Sequence, residues 1–493
     1  MEESRVDNLN ASEMAATAAP SPGAANAPSP GDACAPSLGA AGSPSPGISG
    51  SASSAANAPS GANPNDPLAG ADGLGVNLSE ILFKPKHNYI ETSLISNSGC
   101  PLPGTDKSMH MMGSYFRSLW YRPLNRFSWA NLGGNLLDID EALANIVMGN
   151  NERTRPECFD TIEQYGPGNW IYEFSAIGQK RVLMANKYEE AGDKVNASHN
   201  YRMGSRYFAI AAYPNLKGDV LAAQASLLGH QAYRKIFNDE KLYGAYREET
   251  FKVRGETVTG YLHSVDTKTL QPCVIVLAAY GSTATDFYRI FSSNLRKMGI
   301  AIFVVEMPGM GSASKIVLDA ETSVVLEAAL EHLRDKVKFI NGNALGALGF
   351  RLSANAVARC CIMRPDLLKA AVMISPALHN IFTDQKTLNM VPLAERSSIA
   401  NRLNLDASHW ETIVPQLQIL SLKKQGLISY GSKIKVDTLS VLLPVDIKYN
   451  DDRDLIEQAF CRNKMLINDQ MRVSEFATTL YHEASEFFNS KLH

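Results

Sequence analysis

The sequence predicts an α/β protein: a mostly parallel sheet flanked by helices, with an N-terminal helical cap and a disordered arm ahead of it. Three observations carry that prediction. From about residue 251, short apolar runs alternate with amphipathic stretches, the order that buries a parallel sheet between two helical layers. Between 77 and about 246 the apolar spacing is helical and the segment is rich in aromatic residues. Ahead of it, residues 11–72 are dominated by Ala, Pro, Ser and Gly, and Pro20-Ser21-Pro22-Gly23 recurs as Pro28-Ser29-Pro30-Gly31. Such a stretch buries too little surface to offset the entropy lost on ordering. The chain therefore divides into an arm at 1–76, a helical cap at 77–247 and a sheet domain at 248–493.

Within the cap, 142–148 and 202–212 read as helices, the second stopped by Pro214, and a third runs from about 219 to 237. Met203, Tyr207 and Ile210 form one apolar stripe, which is read as core packing rather than a ligand surface. In the sheet domain, 251–253 and 258–262 are short strands joined by a hairpin turn at Gly255-Glu256. A continuous apolar strand at 274–279 leads to a helix at 286–298, ended by Gly299, whose buried face is Phe287, Ile290, Phe291, Leu295 and Met298. The strand 301–306 and a helix marked by Leu326, Leu330, Leu333 and Val337 follow. The strand 345–350 then runs into a helix to Met363, stopped by Pro365. Further strands at 369–375, 439–443 and 464–468 precede a last helix from Ser474.

A net charge of −3 with 20% charged residues leaves no basic footprint for nucleic acid. The seven cysteines show no Cys-x-x-Cys pair, and Cys360 and Cys361 are adjacent on a buried helix, so reduced, packing thiols are expected. No metal or cofactor is expected. Met1-Glu2-Glu3-Ser4-Arg5 is no signal-peptide opening, and no apolar run reaches the ~18 residues that cross a bilayer. A soluble cytoplasmic protein without a membrane partner is the expectation.

Two motifs narrow the class. Gly349-Phe350-Arg351-Leu352-Ser353 lies between a strand and a helix, where an α/β-hydrolase carries its Gly-x-Ser-x-Gly elbow. Glu306-Met307-Pro308-Gly309-Met310-Gly311-Ser312 looks like the acidic-x-Pro-Gly-x-Gly-x-Ser turn that follows the fourth strand of many such proteins. The α/β-hydrolase fold is the result, yet the residue at the elbow's apex is arginine.

A triad needs a nucleophile, a histidine and an orienting acid. Asp446 offers the acid, following the strand 439–443, with Asp451 and Asp452 nearby. The histidine is missing from 469–474; His482 points off the buried stripe of the last helix, and His379 is merely close in sequence to Ser375. Ser353 and Ser375 are the substitute nucleophiles to consider, each also readable as a turn or cap residue, as is Ser282 in Tyr280-Gly281-Ser282. Backbone N–H groups of that loop and of Leu352 would line an oxyanion hole. Losing a nucleophile or its histidine typically costs about 10⁶ in turnover, so standard triad catalysis is not expected. Arg351 suits another task. A strand–helix turn already favours an anion, and a guanidinium there grips a carboxylate or phosphate by two parallel hydrogen bonds. An internal salt bridge to a cap carboxylate is the equal alternative.

Several stretches resemble the fermentation–respiration switch proteins, a bacterial family of α/β-hydrolase esterases. They are Asn77-Leu78-Ser79-Glu80, Phe83-Lys84-Pro85, Gly168-Asn169-Trp170-Ile171-Tyr172-Glu173, Ile210-Ala211-Ala212-Tyr213-Pro214-Asn215-Leu216-Lys217-Gly218-Asp219, Met307-Pro308 and Gly349-Phe350-Arg351. The resemblance spans 77–492 and implies hydrolysis of carboxylic esters such as a small acyl ester. It also implies binding of the unphosphorylated glucose-specific IIA phosphocarrier protein of the sugar phosphotransferase system. Arg351 matches the family's own arginine, whereas Ser353 stands where the family pattern has glycine. Three functions remain open: an esterase of non-standard mechanism, a regulatory protein binding the phosphocarrier or a small anion, and a cofactor-free lyase acting on a small keto acid.

Overall fold

The computed structural model describes residues 119–493 apart from 390, 430, 432, 444–451 and 468–472, together with 110–111 and 114–115. The expected arm and the candidate acid Asp446 lie outside the described residues.

Eight strands form one sheet: β1 Ala245–Val253, β2 Glu256–Ser264, β3 Gln271–Ala278, β4 Ala301–Glu306, β5 Ile340–Phe350, β6 Ala370–Ile374, β7 Asp437–Leu442 and β8 Asn463–Ile467. Their spatial order is β8-β7-β6-β5-β3-β4-β2-β1. β1 and β2 pair antiparallel, as do β2 and β4, and every other neighbouring pair is parallel. This is the α/β-hydrolase fold the sequence predicts. β3 and β4 are buried at every position, which explains why they read as unbroken apolar runs. The β1–β2 hairpin turns at Arg254 and Gly255, both at positive φ (48° and 85°), matching the twist a tight hairpin needs.

Alternate residues of each strand feed opposite cores. Cys273, Ile275 and Leu277 join one core, Val274 and Val276 the other. The four longest helices described in the N-terminal layer are α1 Leu136–Met148, α2 Trp170–Glu190, α3 Lys194–Ala212 and α4 Val220–Ile236. Each starts on a side-chain cap, from Asn135, Asn169, Asp193 and Asp219 in turn. The stripe Met203, Tyr207 and Ile210 packs into a third core with Trp129, Trp170 and Phe174. Tyr201 and Tyr233, from α3 and α4, join the core on one face of the sheet.

Two expectations need adjusting. The helix expected at 286–298 is broken into a 3-10 turn at Ala284–Asp286, α5 at Tyr288–Ser293 and a second turn at Leu295–Met298, because Asn294 leaves the helical region (φ −127°, ψ −70°). β5 starts at Ile340 rather than near 345, with a register shift against β3 between Gln271 and Cys273. After α6 at Val324–Lys336 and α7 at Leu352–Met363, the connection from β6 to β7 is long. Its short helices, among them α8 at Leu393–Arg402, form a roof segment over 376–436. α9, Val473–Leu492, closes the chain and places Leu480, Ala484 and Phe488 in the same core as Tyr233.

Among the described residues no helix is long and apolar enough to cross a membrane, and no group of three metal-ligating side chains occurs. Cys158, Cys273, Cys360 and Cys361 are buried free thiols, and burial pushes the Cys361 thiol up to about 12.

Candidate functional site at the elbow

β5 ends at Phe350, α7 begins at Leu352, and Arg351 between them takes φ 51° and ψ −111°. That is the sharp strand-to-helix bend of a nucleophile elbow. The bend is over-determined by the backbone. Arg351 N–H donates to Ile374 O at 2.9 Å, and Arg351 O accepts from Asn355 N and Ala377 N, each at 3.2 Å. Gly349 is required because a Cβ there would lie 2.5 Å from Ser353 O. Ser353, in the second-glycine place, is fully buried, and its Oγ accepts from Phe350 N at 2.7 Å and donates to Phe350 O at 3.0 Å. It staples the bend from inside. The acidic turn after β4 is held similarly: Glu306 accepts from Ala284 N and Ser312 N (3.4 and 3.2 Å), and a Cβ on Gly311 would overlap its carboxylate.

Above the elbow lies a cavity of about 50 Å³, whose walls include Tyr280, Arg351, Leu352, Ser375, Ile399 and Leu417. The last two belong to the roof segment, so the roof rather than the N-terminal helices supplies the cover of the cavity. Its two feet are pinned. Asn355 on α7 donates through Nδ2 to Ala377 O (2.8 Å) and Leu420 O (2.9 Å), and Thr322 Oγ1 donates to its Oδ1 (2.9 Å). Asp452, buried, accepts three successive N–H groups, from Leu378, His379 and Asn380, at 2.9–3.1 Å. The N-terminal layer grips the roof from above through Lys217 N–H to Asn401 Oδ1 (2.7 Å) and Arg402 Nη2 to Pro214 O (3.3 Å).

The charges around the cavity act on one another. Burial first, then the Glu395 carboxylate, push the Tyr280 phenol up to about 12, while Arg351 and Arg402 oppose the rise. Burial raises the Glu395 carboxyl above the usual range, and the Arg351 charge pulls it back. Burial holds the Arg402 guanidinium down at about 10.

Of the residues proposed from sequence, Tyr280, Arg351, Leu352 and Ser375 come together as cavity wall. Ser375 does so at the end of β6 with φ 54°. Gly281 is exposed, and the Ser282 hydroxyl donates to Ala279 O at 2.9 Å, so neither faces the cavity. The Ser353 hydroxyl is engaged with Phe350 within the bend, and Ser353 is not part of the cavity wall. His379, near Ser375 in sequence, has its Nδ1 2.8 Å from Ser421 Oγ, bridging the roof's two feet. His482 is exposed on α9. Sequence reasoning missed Glu395 and the anchoring roles of Asn355 and Asp452. An acid in the first turn of a ten-residue helix carries no motif that would have singled it out.

The family described as Esterase FrsA-like matches residues 74–493. Esterase FrsA of Klebsiella pneumoniae is 34% identical to this chain over 354 residues, 71% of this chain and 84% of that protein. Esterase FrsA of Photobacterium profundum is 32% identical over 392 residues, 79% and 92% of the two. Among solved structures, a 2,6-dihydroxy-pseudo-oxynicotine hydrolase aligns with a TM-score of 0.58 at 15% identity, over 74% of this chain and 95% of its own. AbyA5 aligns with a TM-score of 0.53 at 16% identity, over 72% and 91%. At such identities these two likenesses speak for the fold. Motif order, sheet topology and matched length agree: the chain belongs to the FrsA-like family of α/β-hydrolase esterases.

Proposed function

We propose that the elbow cavity receives a small carboxylic acid or its ester, with Arg351 as the anion-binding group, and that the chain is an ester hydrolase of non-standard mechanism. One observation carries this reading. Arginine occupies the apex of the elbow, in a backbone conformation that favours glycine, and forms part of the cavity wall at the start of α7. The Leu352 N–H belongs to the first helical turn, where amides have no intrahelical acceptor, so it adds a donor to the same anion. A cavity of about 50 Å³ suits an acyl group of a few heavy atoms. Ser375 is the wall residue able to act as a nucleophile. A second reading, binding without turnover, is favoured by the engagement of His379 with Ser421, away from Ser375.

Ligand-observed NMR titration with propionate, and turnover of short-chain nitrophenyl esters, test both readings. Wild type is expected to bind propionate, with binding lost in Arg351→Ala. Equal binding by the two proteins overturns the anion site. Turnover abolished in Ser375→Ala, with stoichiometric fluorophosphonate labelling of wild type, would make Ser375 the nucleophile. Turnover indifferent to both substitutions, beside intact propionate binding, would leave the binding reading.

A further inference from the structure

Beneath the loop that follows β3, a guanidinium from the N-terminal layer meets a carboxylate, and both are buried. Arg206 on α3 is 6% exposed and pairs through Nη2 with Asp286, itself 9% exposed. The pair joins positions 80 apart in the chain. Asp286 also closes the loop on itself: Thr283 N–H donates to its Oδ2 and Thr283 Oγ1 to its Oδ1, both at 3.0 Å. Ala284 N–H is held by Glu306. Upstream, Ser282 N–H donates to Ala279 O at 3.1 Å. From Ala279 to Asp286 the loop is therefore locally stitched, and it carries Tyr280 into the cavity wall. Downstream, Phe287 stacks on Phe350, the residue before Arg351, with ring centroids 5.7 Å apart and planes at 28°.

A buried ion pair contributes little net stability compared with well-packed apolar residues of similar volume, because both charges are desolvated. This pair has a further blemish, since Arg206 Nε is buried without a hydrogen-bond partner. What the pair does supply is a fixed point. Asp286 sits between the two segments that shape the cavity, and Arg206 is the contact that ties it to the helical layer.

We propose that Arg206 is a positioning residue for the elbow site: by holding Asp286 it sets both the Tyr280 wall and, through Phe287 on Phe350, the bend that presents Arg351. The N-terminal layer thus determines site geometry as well as covering the sheet. This rests on the reading of the elbow cavity as an anion site.

The test compares wild type with Arg206→Lys, Arg206→Met and Asp286→Asn, the last of which keeps an oxygen for Thr283 N–H. Two readouts are taken beside melting temperature. The first is propionate affinity by NMR titration, expected to fall about fivefold to tenfold in Arg206→Met and Asp286→Asn and to recover in part in Arg206→Lys. The second needs no ligand: the ¹⁹F resonance of 3-fluorotyrosine at position 280, expected to shift in the same two variants and to return toward wild type with lysine. An unmoved resonance in folded Arg206→Met and Asp286→Asn overturns the inference. So does a fall in melting temperature with affinity and resonance unchanged, which is the mark of a purely structural pair. If wild type fails to bind propionate, the anion-site reading falls, and the resonance alone decides whether Arg206 positions the loop.

Discussion

Replacing Asn355 by alanine should loosen the roof and destabilise the whole chain by about 3 kcal/mol. The side chain is fully buried and makes three hydrogen bonds, two as donor to Ala377 O and Leu420 O and one as acceptor from Thr322. Truncation leaves those three groups without this partner. A buried polar group left unsatisfied costs roughly 1–3 kcal/mol. Carbonyls retain a second lone pair and the threonine hydroxyl can rotate, so each belongs at the low end of that range. Three low-end losses give about 3 kcal/mol, before any cost of the small void. Asn355→Asp keeps the volume and the Thr322 contact but turns two donors into acceptors aimed at carbonyls, so it should lose more. Urea unfolding followed by tryptophan fluorescence measures both, with buried Trp410 reporting on the roof and Trp170 on the helical layer. Because Ala377 and Leu420 line the cavity, propionate affinity should fall alongside stability. An alanine variant within about 1 kcal/mol of wild type would refute the pinning argument.

Two further outcomes follow from buried groups. Burial holds the His263 imidazole down at about 3, against about 6.5 in the unfolded chain. The unfolded state therefore binds a proton that the native state refuses, and stability contributed by neutral His263 is lost progressively as pH falls from about 6.5 to about 3. The ceiling of that loss is about 5 kcal/mol at about 1.4 kcal/mol per pH unit. Tyr233 OH lies 2.9 Å from His263 Nε2, and Nδ1 has no hydrogen-bond partner, so His263→Gln can keep the tyrosine satisfied without titrating. Unfolding free energy measured from pH 3.5 to 7 should be flatter in that variant, and identical slopes would count against the argument. At the elbow, Gly349→Ala sets a methyl against Ser353 O at 2.5 Å, and neither backbone can yield without opening the bend. Overpacking of this kind costs about 1–3 kcal/mol or more, measurable as a lowered urea midpoint; a wild-type midpoint would show that the bend is not close-packed.

The central strands were legible because a strand buried on both faces can hardly be anything but apolar, as in 274–279 and 301–306. The elbow was legible because a hard steric rule fixes Gly349 whatever stands at the apex. The roof was not. Among its described residues the longest helix, α8, has ten residues, too few for a helical period to stand out from noise. The identity of the site's walls was half visible: Tyr280, Arg351, Leu352 and Ser375 lie at strand ends, where the fold dictates a site, whereas Ile399 and Leu417 come from the unread segment. The surroundings of Ser353 and His379 were illegible for one reason. Composition shows that a hydroxyl or imidazole is present, and only three-dimensional neighbours show that it is already engaged. Arg206 and Asp286 carry no local signal at all, since their pairing exists only once the helical layer is docked.

The apex arginine is itself the sharpest test of whether the elbow serves function or architecture. A non-glycine residue held at φ 51° and ψ −111° costs about 1–3 kcal/mol and persists where its surroundings over-determine it. Here three backbone hydrogen bonds do so. Glycine adopts the mirror image of an extended conformation at no steric cost, so Arg351→Gly removes the strain while adding about 0.5–1 kcal/mol of unfolded-state entropy. On balance the variant should be as stable as wild type or up to about 2 kcal/mol more stable. If the guanidinium serves only as a ligand-binding group, stability should not fall below wild type while propionate binding disappears. If instead it were an architectural ion pair with Glu395, its loss would leave that half-buried carboxyl without its countercharge and lower stability by about 3 kcal/mol. Urea unfolding separates the two outcomes. Loss of stability on that larger scale, with or without loss of binding, would assign the arginine to the scaffold and leave the anion site without its central residue.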